Sequence, residues 1–306
     1  MNARVLYVAP LALGGNPAID AIAYGLQHPL AESGIDLSVL FVDFREPEFG
    51  KRYSEAISRG AAAGVDGIVI YTLDPSAFSE PVSQARAAGI PVFSFVRPHF
   101  PVDAAVVYPN FNHGTLMAEY LANRLPEGAE VAVIGGPDTV DDSEEVAGLV
   151  FALRRSHCRL CNDPDKPEYC NLEDVPSGGR APAERILAEF PNLAGLIPYN
   201  DATMLGALPA IEEAGRLGQL EIVSRNGSPE AVEAVRTAKT AGTWDLDASG
   251  IGVTLGELVA RRLTAGGPSE ELLAMSPVGR MITRETLGTW RPWEERITWK
   301  PLREGI

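Results

Sequence analysis

Between Val5 and Thr264 short apolar runs alternate with longer stretches of helical period, and that alternation leaves few folds open. A short apolar run bounded by glycine, proline or polar residues reads as a buried strand. Strands separated by helices pair in parallel, with the helices packed on the sheet faces. In the first half strands are expected at Val5 to Pro10, Leu37 to Val42, Gly67 to Thr72, Pro91 to Val96 and Ala104 to Tyr108. In the second half they are expected at Glu130 to Gly135, Ala194 to Tyr199, Glu221 to Arg225 and Gly242 to Leu246. The helices fall at Pro17 to Ser33, Glu48 to Ala63, Ser76 to Ala88, His113 to Arg124, Asp142 to Arg155, Ala181 to Phe190, Ala202 to Ala214, Pro229 to Lys239 and Ser249 to Thr264. Gly34, Gly64, Gly89 and Gly215 close helices shortly before the next strand. The pattern is an internal pseudo-repeat, two successive runs of β-α units of similar size. Pro98, Pro101 and Pro109 mark the first crossing between lobes. Cys158 to Gly179 lacks apolar period and reads as a loop insertion on the second lobe. The tail after Trp290 reads as irregular chain packed across the surface.

With 306 residues there is enough chain for two cores, and 45% apolar with 22% charged residues describes a globular protein. A formal net charge of −15 repels phosphate backbones and anionic membranes, so nucleic acid is not expected as a partner. No apolar run approaches the roughly 20 residues that span a bilayer. The chain enters its first strand within a few residues of Met1, with no secretory leader, which fits a cytoplasmic protein or a trimmed mature form; the second is expected here. Cys158, Cys161 and Cys170 follow His157 closely. One disulfide with a leftover thiol is the expectation, with a zinc site and three free thiols as alternatives.

The most informative stretch is Asn200-Asp201-Ala202-Thr203, directly after the apolar run Leu193 to Tyr199. It is a strand-to-helix junction with Asn200 at the carboxyl end of the strand, where open α/β sheets bind ligands. Asp201 is placed to cap the following helix. Other motifs fall in order with it: Asn16-Pro17, Ala62-Ala63-Gly64-Val65-Asp66-Gly67-Ile68-Val69-Ile70, Ala87-Ala88-Gly89-Ile90-Pro91-Val92, Gly114 with Ala118-Glu119-Tyr120-Leu121, Leu205-Gly206-Ala207-Leu208 and Asn226-Gly227. In this order, over roughly residues 4 to 285, the chain resembles the periplasmic sugar-binding proteins of ABC transporters. These have the type I fold, ribose- and galactose-binding-like, shared with lactose-repressor regulatory domains. The resemblance implies two Rossmann-like lobes with parallel sheets joined by a multi-strand hinge. The expected division is 1–108 plus 247–276 for the N-terminal lobe and 109–246 plus 277–306 for the C-terminal lobe, with the insertion at 158–179. It also implies a ligand held between lobes that close by a hinge motion.

Carried onto this chain, the ligand-binding positions are Asn16, Arg97, Asn110, Asn200, Asn226 and the stretch Asp245 to Asp247. Amides and charged forks suit a polyol because each hydroxyl both donates and accepts. The departures from the family pattern concern the ligand. Val96 stands before Arg97 where the family often has Asp; Glu145 precedes Gly148 where it usually has Arg. Ala18-Ile19 replaces an aromatic pair, Asn226 replaces Asp, and Leu246 replaces Gln. A smaller polyol, a cyclitol or a modified sugar therefore fits better than a common pentose or hexose. Glu145 joins these candidate contacts, and each position also has a plainer reading. Asn16 and Asn200 are good caps, Arg97 can pair with a surface acid, and Asn226-Gly227 is a turn dipeptide. Asn110 can close the hinge turn, and Glu145 lies in an acidic run that suits a solvated first helical turn. Of the acids on the face of Thr243, Asp245 and Asp247, Asp245 is the candidate.

No Gly-x-Ser-x-Gly elbow, phosphate loop, dinucleotide fingerprint or His-Glu-x-x-His appears, so catalytic residues, metal and cofactor are not expected. The resulting expectation is a solute-binding protein, monomeric and periplasmic or extracellular, free or lipid-anchored. It captures a small sugar or polyol and delivers it to a membrane permease without chemistry. The alternative is the ligand-sensing domain of a transcription repressor or a chemoreceptor-type signal binder.

Overall fold

The computed structural model describes residues 2–73, 77–265, 271–277 and 279–305. In chain order the strands are β1 (Arg4–Ala9), β2 (Asp36–Phe41), β3 (Gly67–Tyr71), β4 (Val92–Phe95), β5 (Ala104–Val107), β6 (Glu130–Ile134), β7 (Arg159–Leu160), β8 (Leu193–Pro198), β9 (Glu221–Asn226), β10 (Gly242–Asp245), β11 (Leu272–Met275), β12 (Arg280–Ile282) and β13 (Arg303–Glu304). The helices are α1 (Pro17–Glu32), α2 (Phe49–Ala62), α3 (Ser79–Ala87), α4 (Asn110–Ala122), α5 (Val140–Leu153), α6 (Arg180–Glu189), α7 (Asp201–Glu213), α8 (Pro229–Arg236) and α9 (Ala248–Ala265). Ser76, the expected start of the third helix, lies outside the described residues.

The chain divides into two compact units. The first comprises Met1–Tyr108, Ala248–Pro277 and Trp293–Ile306, the second Pro109–Asp247 and Val278–Pro292. In the first unit the sheet runs β11-β5-β4-β3-β1-β2-β13, every pairing parallel. Strands such as β3, buried along its whole length, are apolar throughout because helices cover both faces. The second unit's sheet runs β12-β10-β9-β8-β6-β7, parallel apart from the antiparallel β12 edge. Its two faces carry separate cores, one around Ile134, Leu196, Met204 and Ile222, the other around Met117, Val133, Leu149 and Val223.

In each unit two helices approach at backbone contact distance. A Cβ added at Gly114 of α4 would sit 2.2 Å from the Glu145 carbonyl oxygen, and one at Gly148 of α5 would sit 2.1 Å from that of Phe111. Gly25 of α1 and Gly252 of α9 make the same crossing in the first unit. Only residues without a side chain permit it. In the second unit this crossing holds the first turns of α4 and α5 together, which places Asn110 beside the acids of Asp141 to Glu145.

Four expectations need correction. The tail does not belong with the second unit: Arg303–Glu304 pairs with Ser38–Val39 at the edge of the first sheet, and Trp293 is buried there. Residues 158–179 are a loop insertion only in part. They supply the edge strand β7, and the Asn162 amide both accepts from Val133 N–H (2.9 Å) and donates to Val133 C=O (2.8 Å). The disulfide is absent, all three thiols being free. Cys158 and Cys161, three positions apart on an extended edge, pack into opposite faces of the sheet, while the Cys170 thiol is turned to the carbonyls of Pro164 and Lys166. Among the described residues no group of His, Cys, Asp or Glu is placed to hold a metal. Finally, α7 is capped by Asn200, whose Oδ1 accepts from Thr203 N–H at 2.9 Å, while Asp201 is turned inward. No described helix is long and apolar enough to cross a membrane.

Candidate functional site

In a parallel sheet the carboxyl ends of the strands and the N-termini of the following helices share one edge. Backbone strain marks that edge in each unit taken by itself. Val96, just past β4, has φ 65°, and Asn226, the last residue of β9, has φ 127°. Asp174 and Asp247 lie in the left-handed region as well. For a β-branched residue such as Val96 this conformation is costly, about 1–3 kcal/mol, and such outliers concentrate where ligands are clamped.

The centre of the edge in the second unit is Arg225 on β9, its side chain 6% exposed. Its Nε lies 2.5 Å from Glu145 Oε2, its Nη2 donates to Asp142 Oδ1 at 3.2 Å, and its Nη1 donates to Asn110 Oδ1 at 3.3 Å. The contact with Glu145 falls outside hydrogen-bond angles, so it is a charge contact rather than a directed bond. Asn110 in turn donates to Asp141 and Glu144, both at 3.3 Å. A buried guanidinium needs such partners, because an unpaired buried charge is strongly disfavoured. Burial pushes the Glu145 carboxyl up to about 8 against the opposing pull of Arg225. Asp142 is pushed in the same direction, by burial first, with the charge of Asp174 adding to it. Its partial exposure, 15% of the side chain, argues for a smaller rise than that of Glu145.

Beside this network Asp174 Oδ1 accepts from Tyr199 Oη and from Asn200 Nδ2, both at 2.5 Å. The Tyr199 ring covers Gly136, where a Cβ would come within 2.6 Å of it. Below Asn200, Asp201 accepts from Ser224 Oγ, Thr243 Oγ1, and both the backbone N–H and Oγ of Ser228, at 2.5–2.9 Å. Burial pushes its carboxyl up to about 6, opposed by those bonds. Asp201 thus ties α7 to β9, β10 and the start of α8, and fixes the height of Asn200 above the sheet. Asp245, at the end of β10, is buried and accepts from Asp247 N–H at 2.9 Å. Asn226 is paired with Asp245 across the strands through its backbone.

In the first unit Asn16 caps α1 through Ala18 N–H at 3.0 Å, and Arg97, 54% exposed, pairs with Glu271 at 3.4 Å. Of the sequence candidates the structure therefore brings Asn110 and Glu145 together around Arg225 and places Asn200 in the Asp174 cluster, with Asn226 and Asp245 at the adjoining strand ends. Asn16 and Arg97 lie at strand-end loops of the other unit. Glu145 is fully buried, not a solvated first-turn acid. Arg225, Asp142 and Asp174 were missed. A lone arginine inside an otherwise buried strand implies a carboxylate partner, and the run Asp141 to Glu145 was its obvious source.

Periplasmic binding protein domains match this chain over residues 13–267. The chain belongs to that family. A D-ribose/D-allose-binding protein of Pseudomonas aeruginosa is 30% identical over 217 residues, 68% of this chain and 66% of the relative. A ribose import binding protein of Bacillus subtilis is 24% identical over 230 residues, covering 74% and 72%. Among solved structures, an ABC transporter periplasmic solute-binding protein of Actinobacillus succinogenes with bound D-allose superposes with a TM-score of 0.81 at 19% identity. That match covers 94% of this chain and 100% of the other. The family's fold is the type I periplasmic-binding fold expected from the motif order.

Proposed function

We propose that this protein captures a small carbohydrate or polyol with side chains at the carboxyl ends of its strands and delivers it to the permease of an ABC transporter, without chemistry on the ligand. The observation that carries this reading is the network around Arg225 and Asn200. It concentrates carboxylates, amides and a guanidinium at a strained strand edge, and such a mixture of donors and acceptors matches hydroxyl groups, each of which does both. One relative is named as a ribose import binding protein and another as a D-ribose/D-allose-binding protein, which favours transport over the sensor alternative. The protein works as a monomer in the periplasm or at the cell exterior, free or lipid-anchored. Asn16, Arg97, Asn110, Asn200, Asn226 and Asp245 are the proposed contacts.

A thermal-shift screen against pentoses, hexoses, deoxy sugars, pentitols and cyclitols tests the reading. A ligand at a hundred times its Kd adds about 2.7 kcal/mol to the folded state. The Asn200→Ala variant should weaken binding of the resulting hit by about tenfold or more. Silence across the panel, or an unaltered Kd in that variant, counts against it.

A further inference from the structure

We propose that Asp174 is a positioning residue of the solute site: one of its carboxylate oxygens, on the segment between β7 and α6, fixes Tyr199 and Asn200 in the orientation in which Asn200 meets a ligand. This rests on the solute-binding reading above and adds to it a residue that lies outside the motifs of the sequence.

A side-chain amide has one acceptor end and one donor end, and a ligand meets it correctly only when both are fixed. Asn200 Oδ1 accepts from Thr203 N–H at 2.9 Å, which caps α7, and Nδ2 donates to Asp174 Oδ1 at 2.5 Å. The cap alone fastens one end. The second bond runs to a carboxylate, and bonds with an ionised partner are the stronger kind. The same oxygen accepts from Tyr199 Oη at 2.5 Å, so two neighbours at the end of β8 are tied to one atom.

Asp174 is itself held from both sides. Asn171 N–H donates to Gly135 C=O at 2.9 Å and Gly135 N–H donates to Tyr169 C=O at 3.0 Å, which bridges the segment to the end of β6. Asn171 is fully buried, and its Nδ2 donates to Val175 C=O at 2.9 Å and to Thr203 Oγ1 at 2.8 Å. The turn that carries Asp174 is thereby closed on itself and fastened to the first turn of α7, the turn that Asn200 caps. Within it Asp174 sits at φ 51°, a left-handed conformation that persists only where the surroundings over-determine it. The segment keeps its place through Asn171 and the Gly135 bridge, neither of which needs the Asp174 carboxylate. What the carboxylate adds is the hold on Tyr199 and Asn200.

The test uses the full chain with Asp174→Ala, which removes the acceptor, and Asp174→Asn, which keeps an oxygen in its place. The first readout needs no ligand. The side-chain amide protons of Asn200, assigned by NMR through their loss in Asn200→Ala, should exchange with solvent at least about tenfold faster in Asp174→Ala. In Asp174→Asn the rate should stay within about threefold of wild type. Unchanged exchange in Asp174→Ala overturns the inference, and so does an Asp174→Ala chain that fails to fold, which shows a structural role. The second readout is isothermal titration with D-ribose and D-allose. Asp174→Ala should weaken binding about tenfold and Asp174→Asn should restore it to within about threefold. In an Asn200→Ala background Asp174→Ala should cost nothing further, because it acts through Asn200. Additive losses in the double variant, or equal losses in the alanine and asparagine variants, overturn the inference and leave the solute-binding reading standing. If wild type binds neither sugar, that counts against the solute-binding reading, and the amide exchange still decides the positioning of Asn200.

Discussion

Replacing Arg225 with methionine keeps much of the side-chain volume and removes the charge. The wild-type guanidinium lies 2.5 Å from Glu145, 3.2 Å from Asp142 and 3.3 Å from Asn110. Breaking a buried ion pair from one side costs about 3–5 kcal/mol, because the remaining charge stays in the interior uncompensated. That figure holds only while the acids are ionised. The folded-state Glu145 carboxyl titrates at about 8, raised above its ordinary range by burial. Below that pH the folded protein already holds a proton there, and the variant loses mainly hydrogen bonds, about 1–3 kcal/mol. Removing the cation raises the folded pKa of both acids further. A carboxyl whose folded pKa is raised weakens the fold as pH rises through that value, since the folded state binds more protons than the unfolded. The loss caused by Arg225→Met is therefore smaller at about pH 6 and larger at about pH 9. Urea denaturation at both pH values, followed by circular dichroism, measures the two losses. A loss below about 1 kcal/mol at the higher pH, or the same loss at both, refutes the charge-network argument.

The same network predicts that stability falls as pH rises from about 5 to 8, and that Glu145→Gln makes this fall shallower by up to about 1.4 kcal/mol per pH unit. Parallel stability curves for the two proteins would exclude Glu145 as the titrating group. Gly114→Ala drives a methyl to within 2.2 Å of the Glu145 carbonyl oxygen and should destabilise by about 1–3 kcal/mol or more, read as a lowered thermal midpoint. Tyr53→Phe removes a hydroxyl that donates to Val8 C=O at 2.5 Å and accepts from Tyr71 N–H at 2.7 Å, both buried. The expected loss is about 1–3 kcal/mol, with faster hydrogen exchange at the Tyr71 amide; unchanged exchange there contradicts the assigned bond.

What the sequence determined was everything carried by short-range signals. Apolar runs such as Gly67 to Tyr71 are strands because they are buried on both faces, and Asn16 and Asn200 cap helices through N–H groups two and three residues away. The order of those elements sufficed for the fold class, and the end of β8 sufficed to locate Asn200. Tertiary structure alone decided the rest. The edge strands β7, β12 and β13 are too short to show a period, and they exist because a neighbouring strand offers them a partner. The distinction between Asn200 as cap and Asp201 as buried hub depends on Ser224, Ser228 and Thr243, from other elements. Arg225 meets Asp142 across 83 residues of chain and Asn110 across 115. Charge pairing at such separations leaves no local periodicity to read; only folding brings the groups within Coulomb range, where burial makes their pairing obligatory.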